Sequence, residues 1–321
     1  MSFESKLSQV RGGYRAAAGR VRYSVLMSAI QKFARRGAWS EARPVAAALA
    51  ALAYKDRSAG YKSNITNIIN RSLVIVCEDH RGIVDIRKEI AVLRNQQASP
   101  DDCAAAVVKL VYKLTAPGLV KSRRCSAYKA LCLNMNAGCY NHIEEKLGTL
   151  EGHRHVTHMA RHMFDPTHLK SDKRKPLART RHIIKTYLLS ELKSSVPQES
   201  QWAFDYLVQQ LMGSNHKEWF LFPIRAALLV GEKTQPQPAP FETNTKEFVV
   251  QHFDPNWTPP PYVLDIHTGK RKNRETMTDF ITSGIFLDNP SPQDKPLLEY
   301  YIACKHDAIN KSFGPPKRQR S

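Results

Sequence analysis

The stretch "YRAAAGRVRYSVLMSAIQKFARRG", from Tyr14 to Gly37, constrains the fold more than any other part of this chain. Its apolar residues Tyr23, Leu26, Met27, Ile30, Phe33 and Ala34 recur at three- and four-residue spacing. Such a stripe lies along one side of an α-helix and demands a neighbour to cover it. Arg11, Arg15 and Arg22 fall on another face, and Arg35, Arg36 and Gly37 close the segment as a basic last turn with a glycine stop.

The same period returns along most of the chain. An Ala-rich helix is expected over 39–53. In a further segment Ile65, Ile68, Ile69, Leu73 and Val76 share one face, and the apolar run Leu73–Cys77 reads as part of a central helix. Helices are also expected over 83–95, 100–114, 122–134, 176–192, from Phe204 to Leu211, and over 219–230. The second of these takes Asp101 and Asp102 in its first turn. Between Gly231 and Pro261 the texture changes. "GEKTQPQPAPFETNT" and "FDPNWTPPPY" are punctuated by proline, which removes backbone donors, so an extended connection without regular helix is expected. Leu297, Leu298, Tyr301 and Ile302 then resume the helical spacing. The expectation is an all-α helical array with an irregular Pro-rich arm. Residues 1–231 form the helical domain, 232–262 the connection, 263–312 an arm and helix packing back on the main domain, and 313–321 a basic tail.

Charge speaks to partners rather than to fold. The 321 residues include 48 lysines and arginines against 29 aspartates and glutamates, a formal net charge of +19. A cationic surface of that size attracts polyanions, nucleic acid first and an anionic membrane face second. The longest apolar stretch, Pro44–Tyr54, is too short to span a bilayer, so no membrane partner is expected. The first residues lack the apolar core of a secretory signal. Six cysteines form no C-x-x-C pair; Cys125, Cys132 and Cys139, seven apart, read as a buried small-residue stripe, and a reducing compartment, nucleus or cytosol, fits.

No phosphate-cradling G-x-x-x-x-G-K-[ST] pattern exists, the nearest fragment being "LVGEKT" with Gly231, Lys233 and Thr234, so no ATP cofactor is expected. "GHRHVTHMARHMFDPTH" gathers histidines; His158 and His162 are four apart, and with His155 they are metal-ligand candidates at helical spacing. Met159 occupies the place a metalloprotease gives its glutamate, and phosphate-facing histidines among Arg154 and Arg161 are the competing reading. The next segment carries Lys170, Lys173, Arg174, Lys175, Arg179, Arg181 and Lys185 against Asp172, a density that neutralises several phosphates. No G-x-S-x-G elbow supports nucleophilic catalysis. Glu78 and Asp79 end a very apolar segment, where pairing with Arg71 or Arg81 would fix how helices dock.

Three stretches, taken together, carry a resemblance. Ser28, Ala29, Lys32, Arg35 and Gly37 lie in "MSAIQKFARRGAWSEA"; Arg71, Leu73, Glu78 and Asp79 lie in "NRSLVIVCEDHRGI". Asp265, His267, Thr268, Lys270, Phe280 and Gly284 follow in the returning arm. These resemble the helical region after the ATPase module in the replication-associated recombination protein A / Werner-helicase-interacting family, as stand-alone proteins in large DNA viruses. His80 and Arg81 interrupt the second motif, and Gly269 is displaced from the third. The resemblance implies oligomerisation and DNA-structure recognition without catalytic residues, with the host nucleus as location. Asp265, His267 and Thr268 then read as a structural clasp, with Lys270, Arg271, Lys272 and Arg274 facing phosphate.

The expected function is a non-enzymatic nucleic-acid-binding accessory of replication or recombination, DNA before RNA, in a homo-oligomer. Its contacts would be Arg11, Arg15, Arg22, Arg35 and Arg36, the run Lys170–Lys185, and Lys270–Arg274. The alternatives are a metal-dependent nuclease built on the 153–168 histidines, and a structural component of a virion or ribonucleoprotein.

Overall fold

The computed structural model describes residues 2–10, 17–18, 21–133, 153–163, 175–213, 219–232, 236–264, 274–284, 290, 292 and 295–313. Among them are fourteen α-helices and one pair of two-residue antiparallel strands, Ala17–Ala18 with Val21–Arg22. The chain is the all-α array that its periodicity predicts.

After α1 (Phe3–Ser8), α2 (Tyr23–Arg36) buries its whole expected stripe. It also buries Val25, Ala29, Gln31, Lys32 and Arg35, so it is a central helix covered on several sides. Gly37 stops it in the left-handed region at φ 62°, and its N–H donates to the Ala34 carbonyl at 3.3 Å. The Ala-rich α3 (Trp39–Ser58) runs past its expected end, and every side chain from Val45 to Ala53 is buried. Methyl side chains let α6 (Pro100–Thr115) lie close along it, presenting Cys103, Ala104, Val107, Leu110 and Val111. Ser99 caps α6, accepting from the Asp102 N–H at 3.1 Å, with Pro100 at the first position. The apolar run Leu73–Cys77 lies in α4 (Ser63–Asp79), buried against α2 and α3.

Two expectations are corrected here. The helix expected over 83–95 is the shorter α5 (Arg87–Arg94). Gln237 takes up the preceding backbone groups, donating to the Ile83 carbonyl at 3.0 Å and accepting from the Asp85 N–H at 2.6 Å. The connection expected to lack regular helix contains one. Between Pro240 and Pro255 no proline intervenes, and Asn244 accepts from the Lys246 and Glu247 N–H groups. A helix of eight residues, Thr245–His252, therefore forms. The arm it belongs to lies along α3 and α6, where Phe241 and Phe248 meet Trp39 at ring separations of 5.2 and 6.0 Å.

In chain order the helices after α6 are α7 (Arg124–Leu133), α8 (His153–Met163), α9 (Lys175–Tyr187), α10 (Gln201–Gly213), α11 (Leu221–Leu228), α12 (Thr245–His252), α13 (Arg274–Asp279) and α14 (Lys295–Phe313). A π-helical turn, Leu188–Leu192, continues α9, and another, Phe280–Gly284, continues α13. The apolar α11 is buried among α4, α7, α8 and α10, while α14 covers α7. No described helix is long and apolar enough to cross a membrane.

Candidate nucleic-acid interface

Burial of the α4 terminus brings two carboxylates into the interior, and such groups require partners there. Asp79 accepts from Arg35 Nε at 2.7 Å and from Gln31 Nε2 at 3.0 Å. Glu78 accepts from the same Gln31 amide at 3.2 Å, and Arg123 stands 3.5 Å from Glu78 and 3.8 Å from Asp79. Arg71 reaches this group one step removed, donating to Gln31 Oε1 at 2.9 Å. Arg35 also donates to the Gly284 carbonyl, and Lys32 donates to Ser28 Oγ and the Val263 carbonyl at 3.1 and 3.2 Å. Burial and then the Arg123 charge pull the Arg35 pKa below the usual arginine range, with Asp79 acting against both.

Arg35 therefore does not face a phosphate. It lies 5% exposed inside an ion-pair network, a correction to its expected place among the strand contacts. Glu78 and Asp79 join α4 to α2 and to Arg123, and Arg71 reaches them through Gln31; the arginines on the carboxylates are Arg35 and Arg123, not Arg71 or Arg81.

A second buried charge group stands nearby. Arg225 pairs with Glu232 at 2.6 Å, Arg124 approaches that carboxylate at 3.6 Å, and the Gly82 N–H donates to it at 3.1 Å. Burial opposes ionisation of Glu232, yet the Arg225 charge and hydrogen bond, with Arg124 and Gly82, hold its pKa below the usual range. The backbone beyond α4 pairs with the one before α7: His80 bridges Lys121, and Ser122 N–H donates to the Asp79 carbonyl at 3.2 Å. His80 is buried, and burial, then the Lys121 and Arg225 charges, lower its pKa well below the usual value. Burial likewise lowers the Lys121 pKa to about 8, Asp79 acting against it. Its ammonium is enclosed with no hydrogen-bond partner among the described residues. None of Arg123, Arg124, Lys121 or Arg225 stands out as a site in the sequence, although Arg225, alone in "LFPIRAALLV", carries the signal of a buried cation seeking an acid.

Further cations lie on two other helices. Helices α8 and α9 pack together through aromatic and imidazole rings. His155 Nδ1 is 2.8 Å from the Tyr187 hydroxyl, and the His158 ring stacks on Tyr187 at 4.1 Å between centroids. Burial, then the Glu191 charge, raises the Tyr187 pKa. Arg154, Arg179 and His182 are exposed on these helices and Lys185 is half-buried. Arg181 lies over the Trp219 ring at 5.2 Å, where burial lowers its pKa. Two of the three histidine candidates thus engage Tyr187, and the side chain of His162 lies outside the described residues. Among the described residues no three His, Cys, Asp or Glu side chains stand close enough to hold a metal ion.

Arg22 is exposed, and Arg36 lies over the Tyr262 ring at 4.0 Å while donating to the Lys32 carbonyl. Arg11, Arg15, Lys170, Lys173, Arg174, Asp265, His267, Thr268, Lys270, Arg271 and Lys272 lie outside the described residues, as do the side chains of Lys175 and Arg274.

The fold and these groups define a helical protein whose largely apolar interior encloses two groups of paired charges. No protein-family model, curated protein or solved structure matches the chain.

Proposed function

We propose that this chain is a non-enzymatic nucleic-acid-binding protein, with DNA the first candidate, that serves replication or recombination. One observation carries the reading. The described buried cations are Lys32, Arg35, Arg123, Arg124 and Arg225, and the described buried acids are Asp56, Glu78, Asp79, Glu89 and Glu232. Taking these five of each from the 48 and 29 of the chain leaves 43 cations and 24 anions, so the whole surplus of 19 lies outside that buried set. A surplus that internal pairing does not absorb creates a positive field, and a phosphate chain is the polyanion that such fields hold.

Two further features support it. On α9 the partly buried Arg181 lies over the Trp219 ring, a pairing of cation and aromatic ring that nucleic-acid surfaces use. The three stretches that resemble the recombination-associated family also meet in space: Arg35 of the first is bonded to Asp79 of the second and to the Gly284 carbonyl of the third. The polar network is the joint of this scaffold, and the basic faces are its working surface.

The test is a titration of labelled single- and double-stranded oligonucleotides at several salt concentrations. Binding that weakens steeply with salt and varies little with sequence is the expected result. Reversing Lys173, Arg174 and Lys175 to glutamate should lower affinity at least about tenfold while thermal unfolding stays unchanged. A triple variant that binds as well as the parent removes this segment from the interface.

A further inference from the structure

A cleft of about 210 Å³ opens where α3 ends, α4 begins and α5 ends. Its charged lining is Arg57, Lys62 and Arg94, with no carboxylate. Thr66 and Gln96 add hydrogen-bonding groups, and Ile65 and Ile69 supply an apolar floor. Two of the cations are held in place. Arg57 donates to the Leu93 carbonyl at 2.9 Å and contacts Cys103 Sγ at 3.0 Å, while Arg94 donates to Gln210 Oε1 at 3.0 Å. Each guanidinium carries further N–H groups beyond these bonds. Lys62 is exposed, and as the residue before α4 it places no side-chain cap on that helix.

The residue before Lys62 in the chain, Tyr61, is the most exposed of the large apolar side chains described, at 59%. An uncovered aromatic ring that directly precedes a lysine of the cleft offers a face for stacking. The cleft is smaller than the roughly 300–1,000 Å³ that encloses a whole drug-sized ligand. It suits one unit of a longer molecule.

We infer that this cleft is a nucleotide subsite for single-stranded nucleic acid: Arg57, Lys62 and Arg94 hold one backbone phosphate, and Tyr61 stacks on the adjoining base. The inference rests on the nucleic-acid reading above and deepens it. It adds a surface apart from α8 and α9, and it names the strand state. A base offers its face to a tyrosine only when it is free of its duplex neighbours, whereas a phosphate is available in either form.

The experiment uses the full chain and a fluorescent oligothymidylate at low salt, with a duplex of mixed sequence as the second probe. Tyr61→Ala should weaken single-strand binding about fivefold or more, Tyr61→Phe should restore it, and duplex binding should not respond to either. Lys62→Glu with Arg94→Glu should lower single-strand affinity roughly tenfold and flatten its salt dependence. Photocrosslinking of a 5-iodouracil oligonucleotide to the unaltered protein should mark the peptide holding Tyr61, a readout independent of any variant's folding. Parent-like binding by these variants, equal losses on duplex and single strand, or crosslinks confined to other segments would overturn the subsite and leave the general reading standing. A parent protein that binds neither probe would overturn both.

Discussion

Single side chains inside this protein are expected to matter more than its many surface charges. Asp79 balances Arg35, whose guanidinium is almost fully enclosed. Replacing Asp79 by alanine leaves that charge buried without its acid, a change that costs about 3–5 kcal/mol. Chemical denaturation of D79A should show the loss, and a variant as stable as the parent would mean that Arg35 finds another acceptor. Lys121 runs the other way. Its pKa falls from 10.5 to about 8 in the folded chain, so the folded state binds the proton less well than the unfolded state. Below pH 8 both states are protonated and the penalty is constant. Between about pH 8 and 10 the unfolded chain holds more protons, so this residue makes stability rise with pH. Lys121→Met should add about 2–3 kcal/mol at pH 7 and remove that rise, measured as denaturation midpoints across the range. The sequence marks Glu78 and Asp79 as acids needing partners because they end an apolar run. It does not reveal the partners. Arg35, in the last turn of a helix, reads as a surface cation, and only folding carries it under Asp79, 44 residues further on.

Elements were more legible than partners, because a helix announces itself by period while its neighbours are chosen by the whole chain. The stripe of α2, the all-apolar stretch of α4 and the start of α6 at Pro100 follow from spacing and capping alone. The structure departs from the expected elements at one distant contact and at one local cap. Gln237 holds the backbone before α5, and Asn244 starts α12 inside a segment whose prolines dominate the eye. Gly37 is the stop that spacing predicts and geometry requires. At φ 62° any residue with a Cβ is strained, so Gly37→Ala should destabilise by about 1–2 kcal/mol although the surrounding space would take the methyl. Ser99→Ala should cost about 1 kcal/mol through the lost cap of α6. Thermal unfolding of the two variants separates these effects. A neutral Gly37→Ala would mean that the loop relaxes to another conformation.

Among the described residues the buried set holds five cations and five acids, and the surplus of the chain lies outside that set. These two populations respond differently to salt. Buried pairs such as Arg225–Glu232 are little affected by mobile ions, whereas exposed cations are screened beyond about 8–10 Å at ordinary ionic strength. Stability should therefore stay level or rise slightly as salt increases, since screening relieves the mutual repulsion of surplus cations. Binding to a single strand should fall over the same range, with a logarithmic slope of about 0.7 for each phosphate neutralised. Denaturation midpoints and oligonucleotide affinities measured in one salt series test both halves. Affinity that holds while stability falls would mean that solvent-exposed ion pairs stabilise the fold and would leave the surplus charge without a ligand. The opposite pattern fits a rigid helical frame whose internal charges serve the frame and whose external charges serve a strand.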